Sequence, residues 1–244
     1  MNKLSKKEFW DSEWEHEKRN DYKSFVFGDF LSKLIPKGGS FVEIGCAPGS
    51  IMAYFYHKLN FDVTGVDYSS VSKIEENLKH YDVEKFQLYE ADFTELKLDK
   101  KYTVVSSFGF VEHFYDYDSI IQKHMDLVED KGYLVIELPN IRYFNWLIYR
   151  IVNPELLSIH NLKIMNLKEL PRKIKESNEY EILYCNYYKS CFLFFNDQNS
   201  QLLSRPLLRL IFSKLKEILI KFRLDNISNR YFSPYIILVA KKMK

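Results

Sequence analysis

The sequence predicts an α/β chain: a Rossmann-like, doubly wound, seven-stranded sheet, mostly parallel with an antiparallel last strand, and helices on both faces. Three observations predict it. Apolar runs that end in acidic or small polar residues recur along the first 140 residues, helical repeats separate them, and a glycine-bounded turn joins the first run to the first helical repeat.

The first strand, Phe41-Val42-Glu43-Ile44, runs into the turn Gly45-Cys46-Ala47-Pro48-Gly49-Ser50, and residues 51–59 repeat apolar side chains at three- and four-residue spacing. Phe61-Asp62-Val63-Thr64-Gly65-Val66-Asp67 reads as the second strand, ending in an acid, with a helical repeat over 71–80 behind it. Phe86-Gln87-Leu88-Tyr89-Glu90-Ala91-Asp92-Phe93 is the third and Tyr102-Thr103-Val104-Val105-Ser106-Ser107 the fourth. Residues 108–114 open a helical stretch, and 119–129 carry the next helical repeat. A turn at Gly132 introduces the fifth strand, which Pro139 stops. Residues 180–188 form a sixth strand, and Tyr235-Ile236-Ile237-Leu238-Val239-Ala240 the last.

In doubly wound sheets ligands bind beyond the C-terminal ends of the strands, and Glu43, Asp67, Asp92 and Ser107 all fall there. The turn departs from a dinucleotide loop. Ala47-Pro48 replaces the middle glycine, and proline has no N–H to offer a phosphate, so the loop suits a ligand without a pyrophosphate whose amino-acid tail needs a close backbone. Glu43, Gly45, Gly49 and Asp67 together resemble the cofactor loop of the class I S-adenosylmethionine-dependent methyltransferases, and the resemblance covers most of residues 38–140. It implies S-adenosyl-L-methionine as cofactor. The backbone of Gly45, Cys46 and Gly49 would cradle its methionine portion, with Glu43 holding the loop or the amino group. Asp67 would accept from both ribose hydroxyls, a task for a group with two acceptor oxygens. Tyr68 would lie against the adenine, Asp92 would accept from its exocyclic amine, Phe93 would add a backbone donor and an apolar wall, and Ser107 completes the strand-end set. The competing reading of each acid is a helix N-cap or a solvated loop.

Length and composition fit one domain over 1–244: an N-terminal helical lid over 1–35, a cofactor-binding core over 38–140, and a substrate-side segment over 141–244. The aromatic stretch Phe9-Trp10-Asp11-Ser12-Glu13-Trp14-Glu15-His16 has the position of the helix that lids the cofactor in the resembled family; simple packing of Trp10 and Trp14 is the alternative. Cys46, Cys185 and Cys191 have no ligand-like spacing and the histidines do not cluster with them, which argues against a disulfide framework or a zinc site. With no signal-peptide core and no apolar run long enough to span a bilayer, a soluble protein of the reducing cytoplasm is expected.

Net charge is +2 overall, but residues 201–244 carry ten Lys or Arg against Glu217 and Asp225. Such a region can attract nucleic acid, anionic lipid or a phosphorylated substrate, or be a solvated helix face with a basic tail. Within it Leu203, Leu207, Leu208, Ile211, Leu215, Ile218, Leu219 and Phe222 recur at helical spacing opposite Arg209, Lys214, Glu217 and Lys221. This amphipathic helix is an insertion before the last strand. It is read as packing on the sheet or on a second subunit, which would make a homodimer, with a peripheral membrane contact as the alternative.

Substrate choice should be written between residues 140 and 176. Ile141-Arg142-Tyr143-Phe144-Asn145-Trp146 alternates aromatic and basic side chains, and residues 158–170 are expected to begin another helix. The run from His160 to Leu167 and Leu170 resembles the segment after the fifth strand of bacterial small-molecule and saccharide methyltransferases, where the histidine lies near the transferred methyl. A hydroxyl or amine acceptor must lose a proton, and a histidine near neutrality suits that task, so His113 and His160 are the candidate catalytic residues. A helix-start histidine and a surface-loop histidine are their bland counterparts. Ser106-Ser107-Phe108-Gly109 lacks the motif of nucleobase amino-methyltransferases, the lysine and aspartate of ribose methyltransferases are missing, and so are the acids of the catechol-type metal site. These absences leave a metal-independent enzyme for a small molecule or sugar derivative, and the resemblance of the cofactor loop, the His160 segment and the insertion implies O-methylation of a hydroxyl of a sugar or nucleotide-linked sugar in cell-surface polysaccharide (capsule) biosynthesis. The alternatives are an RNA methyltransferase using the basic C-terminal region and a non-catalytic cofactor-binding subunit of a larger complex.

Overall fold

The structure is a computed structural model that describes residues 3–5, 7–16, 21–69, 71–189, 214, 217, 221 and 227–244. Seven strands form one sheet: β1 (Ser40–Ile44), β2 (Asp62–Asp67), β3 (Phe86–Glu90), β4 (Tyr102–Phe108), β5 (Val128–Pro139), β6 (Tyr180–Tyr188) and β7 (Tyr235–Lys242), in the order β3-β2-β1-β4-β5-β7-β6. The first five pair in parallel, and β7 inserts antiparallel to both β5 and β6. The expected architecture holds, including its antiparallel last strand.

Strand side chains alternate between faces, so each run feeds two cores. Val42, Ile44, Val105, Leu134, Ile136, Ile236 and Leu238 pack on one face with Ile120, Ile121 and Met125 of α5 (Tyr117–Leu127) and Ile174 of α8 (Arg172–Ser177). Phe41, Val104, Val135, Ile237 and Val239 pack on the other with α2 (Gly28–Leu31), α3 (Ser50–Leu59) and α4 (Val71–His80). Phe41 stacks on Phe55 of α3 with ring centroids 3.9 Å apart, which locks α3 to β1. The order reverses between β1 and β4, and the crevice outside their C-terminal ends is where such a sheet takes its ligand.

Three expected boundaries differ. β5 starts at Val128 rather than Gly132, because Val128 pairs with Tyr102 before Lys131, at φ +63°, and Gly132 interrupt the ladder. Residues 108–114 form only a 3₁₀ turn, Val111–His113, since Gly109 adopts φ +62° just before it. The helix expected over 158–170 is absent. α6 (Tyr143–Val152) and α7 (Pro154–Ser158) precede it, and the chain then runs in turns, because Asn161 accepts from the Lys163 N–H and Asn166 from the N–H groups of Lys168 and Glu169. Side-chain acceptors take the donors a helix would need. The amphipathic helix expected over 203–222 lies outside the described residues except for helical positions at Lys214, Glu217 and Lys221, and Cys191 lies outside them too. Among the described residues no helix is long and apolar enough to cross a membrane.

Candidate active site

A cavity of about 210 Å³ opens at the C-terminal ends of β1 to β4, lined by Gly45, Ala47, Asp67, Tyr68, Asp92, Phe93 and, at its far end, Phe110 and His113. Gly45 lines it in a left-handed conformation, φ +74°, and a Cβ there would lie 2.8 Å from the Phe110 ring. Only glycine lets the backbone and the ring share this wall. Gly49, at φ +97°, lies behind the wall and starts α3. Asp67 joins two loops: one carboxylate oxygen accepts from the Ala47 N–H at 3.0 Å and the other from the Ser69 N–H at 2.8 Å. Burial raises its pKa above the usual carboxylate range against the lowering pull of these bonds. Each oxygen keeps a second lone pair for a ligand.

Besides Gly49, three expected cofactor residues stand behind the cavity wall. Glu43 is buried and accepts from the Met52 backbone, holding the start of α3 under the loop; burial and Asp67 raise its pKa. The Cys46 side chain is buried in the core, close against Gly65, so only its backbone is left for a ligand. Ser107 is fully buried, its hydroxyl has no partner among the described residues, and its neighbours Phe108 and Gly109 line the cavity instead.

At the opposite rim Asp92 accepts from the Thr94 N–H at 2.9 Å and from the Thr94 hydroxyl at 2.8 Å, and pairs with Lys3. Burial pushes its pKa up, but the Lys3 and Thr94 bonds outweigh it and the net direction is down. The Lys3 ammonium also lies 4.3 Å from the centre of the Tyr68 ring. Thus Lys3 occupies the space between the two residues expected to hold the adenine. Phe93 is buried in the wall edge-on to Phe110 and His124, and its carbonyl, with that of Thr94, is tied to α5 by Lys123.

The N-terminal segment roofs the cavity. Lys3 bridges to Phe114, the Leu4 N–H donates to the His113 carbonyl at 2.8 Å, and α1 (Lys7–His16) contributes Trp10 and Trp14 to the lining. Trp10 stacks on Trp14, donates its indole N–H to the Ser5 hydroxyl at 2.9 Å, and lies edge-on to His113 with centroids 4.8 Å apart. Trp10 and Trp14 pack on one another and both line the cavity.

His113 and His160 meet at the far end with ring centroids 4.6 Å apart. The Nδ1 of His113 lies 2.8 Å from the Ile159 carbonyl, and that of His160 lies 2.5 Å from the Leu156 carbonyl. Burial lowers the pKa of His113 to about 3 and that of His160 to about 4. Burial thus favours the neutral form of both rings, each of which offers a lone pair. Beside them Glu112 is fully buried, neither carboxylate oxygen meets a hydrogen-bond partner among the described residues, and burial and Glu137 raise its pKa. Burial raises the pKa of Glu137, at the end of β5, to about 8.

The methyltransferase-domain family model matches residues 14–188, more than half of the chain. The chain is a class I S-adenosylmethionine-dependent methyltransferase. Its fold is shared with coclaurine N-methyltransferase bound to N-methylheliamine and SAH (17% identity, 92% of this chain and 72% of that one, TM-score 0.61). It is shared equally with a SAM-dependent methyltransferase from Thiobacillus denitrificans in complex with S-adenosyl-L-homocysteine (13%, 98% and 99%, 0.59) and with magnesium protoporphyrin IX methyltransferase from Synechocystis PCC 6803 with bound SAH (13%, 96% and 93%, 0.57). No curated protein sequence matches this methyltransferase.

Sequence reasoning missed four parts of the site. Glu112 adjoins His113 and Glu137 interrupts an apolar strand, signals that were visible; Lys3 and Phe110 gave none, because only the fold brings them to the cavity.

Proposed function

We propose that this methyltransferase transfers the methyl group of S-adenosylmethionine to a hydroxyl of a sugar or nucleotide-linked sugar. The observation that carries the reading is the far end of the cavity, where His113 stands among Trp10, Phe110 and Phe114, a wall that offers ring faces and a neutral polar atom to an uncharged acceptor. In this reading Asp67 accepts from the ribose hydroxyls, the Gly45–Ala47 backbone holds the methionine portion, and Tyr68, Asp92 and Phe93 frame the adenine once Lys3 has yielded its place. The sulfonium methyl then points to His113. The cofactor carries the activated group, so the protein's work is to align acceptor oxygen, methyl carbon and sulfur and to keep water out, which the tryptophan roof serves. An intracellular place in glycan synthesis, in one domain, completes the reading.

The test is incubation of the purified chain with methyl-labelled S-adenosylmethionine and source-cell extract separated into RNA, glycan, lipid and small-molecule fractions. Label is expected in glycans or sugar nucleotides. Label confined to another fraction overturns the saccharide reading, and label in RNA would make the ten basic residues of 201–244 the substrate contact.

A further inference from the structure

One requirement of hydroxyl methylation remains after the cofactor and acceptor are placed: the acceptor proton has to leave, and the acceptor end of the cavity brings two histidines and a buried carboxylate together. We propose that Glu112, His113 and His160 hold a divalent transition-metal ion of the zinc class at the acceptor end of the cavity. The assignment of that end to the acceptor rests on the functional reading above; the ion site itself rests on geometry. One ligand atom from each residue lies within 4.8 Å of the other two, and Glu112 Oε1 lies 3.8 Å from His113 Nε2. Both histidines direct Nδ1 at a backbone carbonyl, the Ile159 and Leu156 oxygens, which makes Nδ1 the protonated nitrogen and leaves the Nε2 lone pair free. That is the outer-shell arrangement which orients metal-bound imidazoles.

Glu112 supplies the independent observation. A fully buried carboxylate without a hydrogen-bond partner among the described residues, with Glu137 as a second buried carboxylate, carries a desolvation cost that a cation between the ligands removes. Two imidazoles and one carboxylate suit zinc, cobalt or iron(II) and disfavour magnesium or calcium, which take oxygen ligands. Bonds of about 2.0–2.2 Å require the three atoms to draw together by roughly 1 Å. His160 sits after α7 in a stretch of turns, outside any regular element, where such a movement does not break a helix or a strand. Three protein ligands leave a coordination position open, and His113 lines the cavity. An acceptor hydroxyl bound there is acidified and gives its proton to solvent as it binds, before water is excluded; its oxygen then forms the C–O bond as the methyl–sulfur bond breaks and sulfur keeps the electron pair. The metal-independent expectation drawn from cysteine spacing and missing acids could not register this set, because His160 is remote in sequence from Glu112 and His113.

The full chain, stripped with chelator, is titrated with CoCl₂ and read by its visible ligand-field absorption, with ZnCl₂ as competitor. One ion per chain is expected, with affinity lowered about 100-fold in Glu112→Gln and in His160→Asn and unchanged in His80→Gln, an exposed histidine of α4. Retained SAH binding by each variant shows that it is folded. No saturable absorption, or equal affinity in Glu112→Gln and His160→Asn, overturns the site. Stoichiometric binding with methyl transfer indifferent to metal removal overturns its part in catalysis. Intact cobalt binding with no labelled sugar supports the site and defeats the saccharide reading alone.

Discussion

The two ends of the cavity are built differently. At the cofactor end, the Asp67 carboxylate is held by two backbone N–H groups and the loop it ties down comes from the same βαβ unit. At the far end, Glu112, Glu137, His113 and His160 come from a 3₁₀ turn, a strand end and a loop, and each of the two acids has an oxygen without a partner among the described residues. The contrast teaches that the half assigned here to the family's cofactor is satisfied by the fold itself. The half assigned here to the acceptor carries polar groups that no described residue partners.

The largest expected effect separates the ends outright. Asp67→Ala removes two charge-assisted acceptors and releases the Ala47 N–H, so SAH affinity measured by calorimetry should fall about 100-fold or more. His113→Asn should leave that affinity within about twofold and lower kcat about 100-fold, the cost of a misplaced acceptor. An Asp67→Ala chain that binds SAH normally would refute the ribose assignment, and a His113→Asn chain with wild-type kcat would refute the acceptor assignment.

A smaller effect tests the wall that the two ends share. His124 is fully buried on α5, edge-on to Phe93 and donating to the Ile120 carbonyl, and burial lowers its pKa to about 4 despite that carbonyl. The folded protein therefore keeps this ring neutral while the unfolded chain protonates near 6.5, so its contribution is full above the unfolded pKa and is lost as pH falls from about 6.5 to about 4. At full extent the loss is about 3 kcal/mol. His124→Asn keeps a donor for the Ile120 carbonyl but cannot titrate. Its unfolding free energy, measured by urea between pH 7 and pH 4.5, should fall less steeply than that of the parent chain, and parallel curves would show that His124 is not held neutral by the wall.

The same difference explains what the sequence could reveal. β1, β2, β4, β6 and α4 are readable because strand alternation and helical spacing are local patterns, and Asp67 is readable because a strand end fixes where its side chain goes. Asp92 is readable as a cavity residue but not its engagement by Lys3, a contact across 89 positions. His113 and His160 were both singled out, yet their near-neutral chemistry was not a sequence property. Burial, which removes the charged form, is decided by packing of Trp10 and the Ile159 segment. The 158–170 stretch misled for a related reason: its apolar residues Ile164, Met165 and Leu170 are buried as the spacing suggests, while asparagine side chains consume the donors that would have made them a helix.

The smallest predicted effect asks whether the cofactor end is complete as it stands. Lys3 pairs with Asp92 and covers the Tyr68 ring, the two side chains the adenine would use. Its ammonium and the adenine amine compete for one carboxylate, so binding must break a partly buried ion pair that contributes at most about 1 kcal/mol. Lys3→Met keeps the apolar stem and removes the charge. If Lys3 only holds the empty site, the variant should bind S-adenosylmethionine up to about fivefold more tightly, with the gain largest at low salt, where the pair is least screened. Weaker binding would mean that Lys3 turns from Asp92 to the cofactor, for instance to its carboxylate, and that the roof over 3–16 supplies a ligand contact as well as a cover. In that case the cofactor end, like the acceptor end, draws part of its binding energy from a segment that no strand end positions.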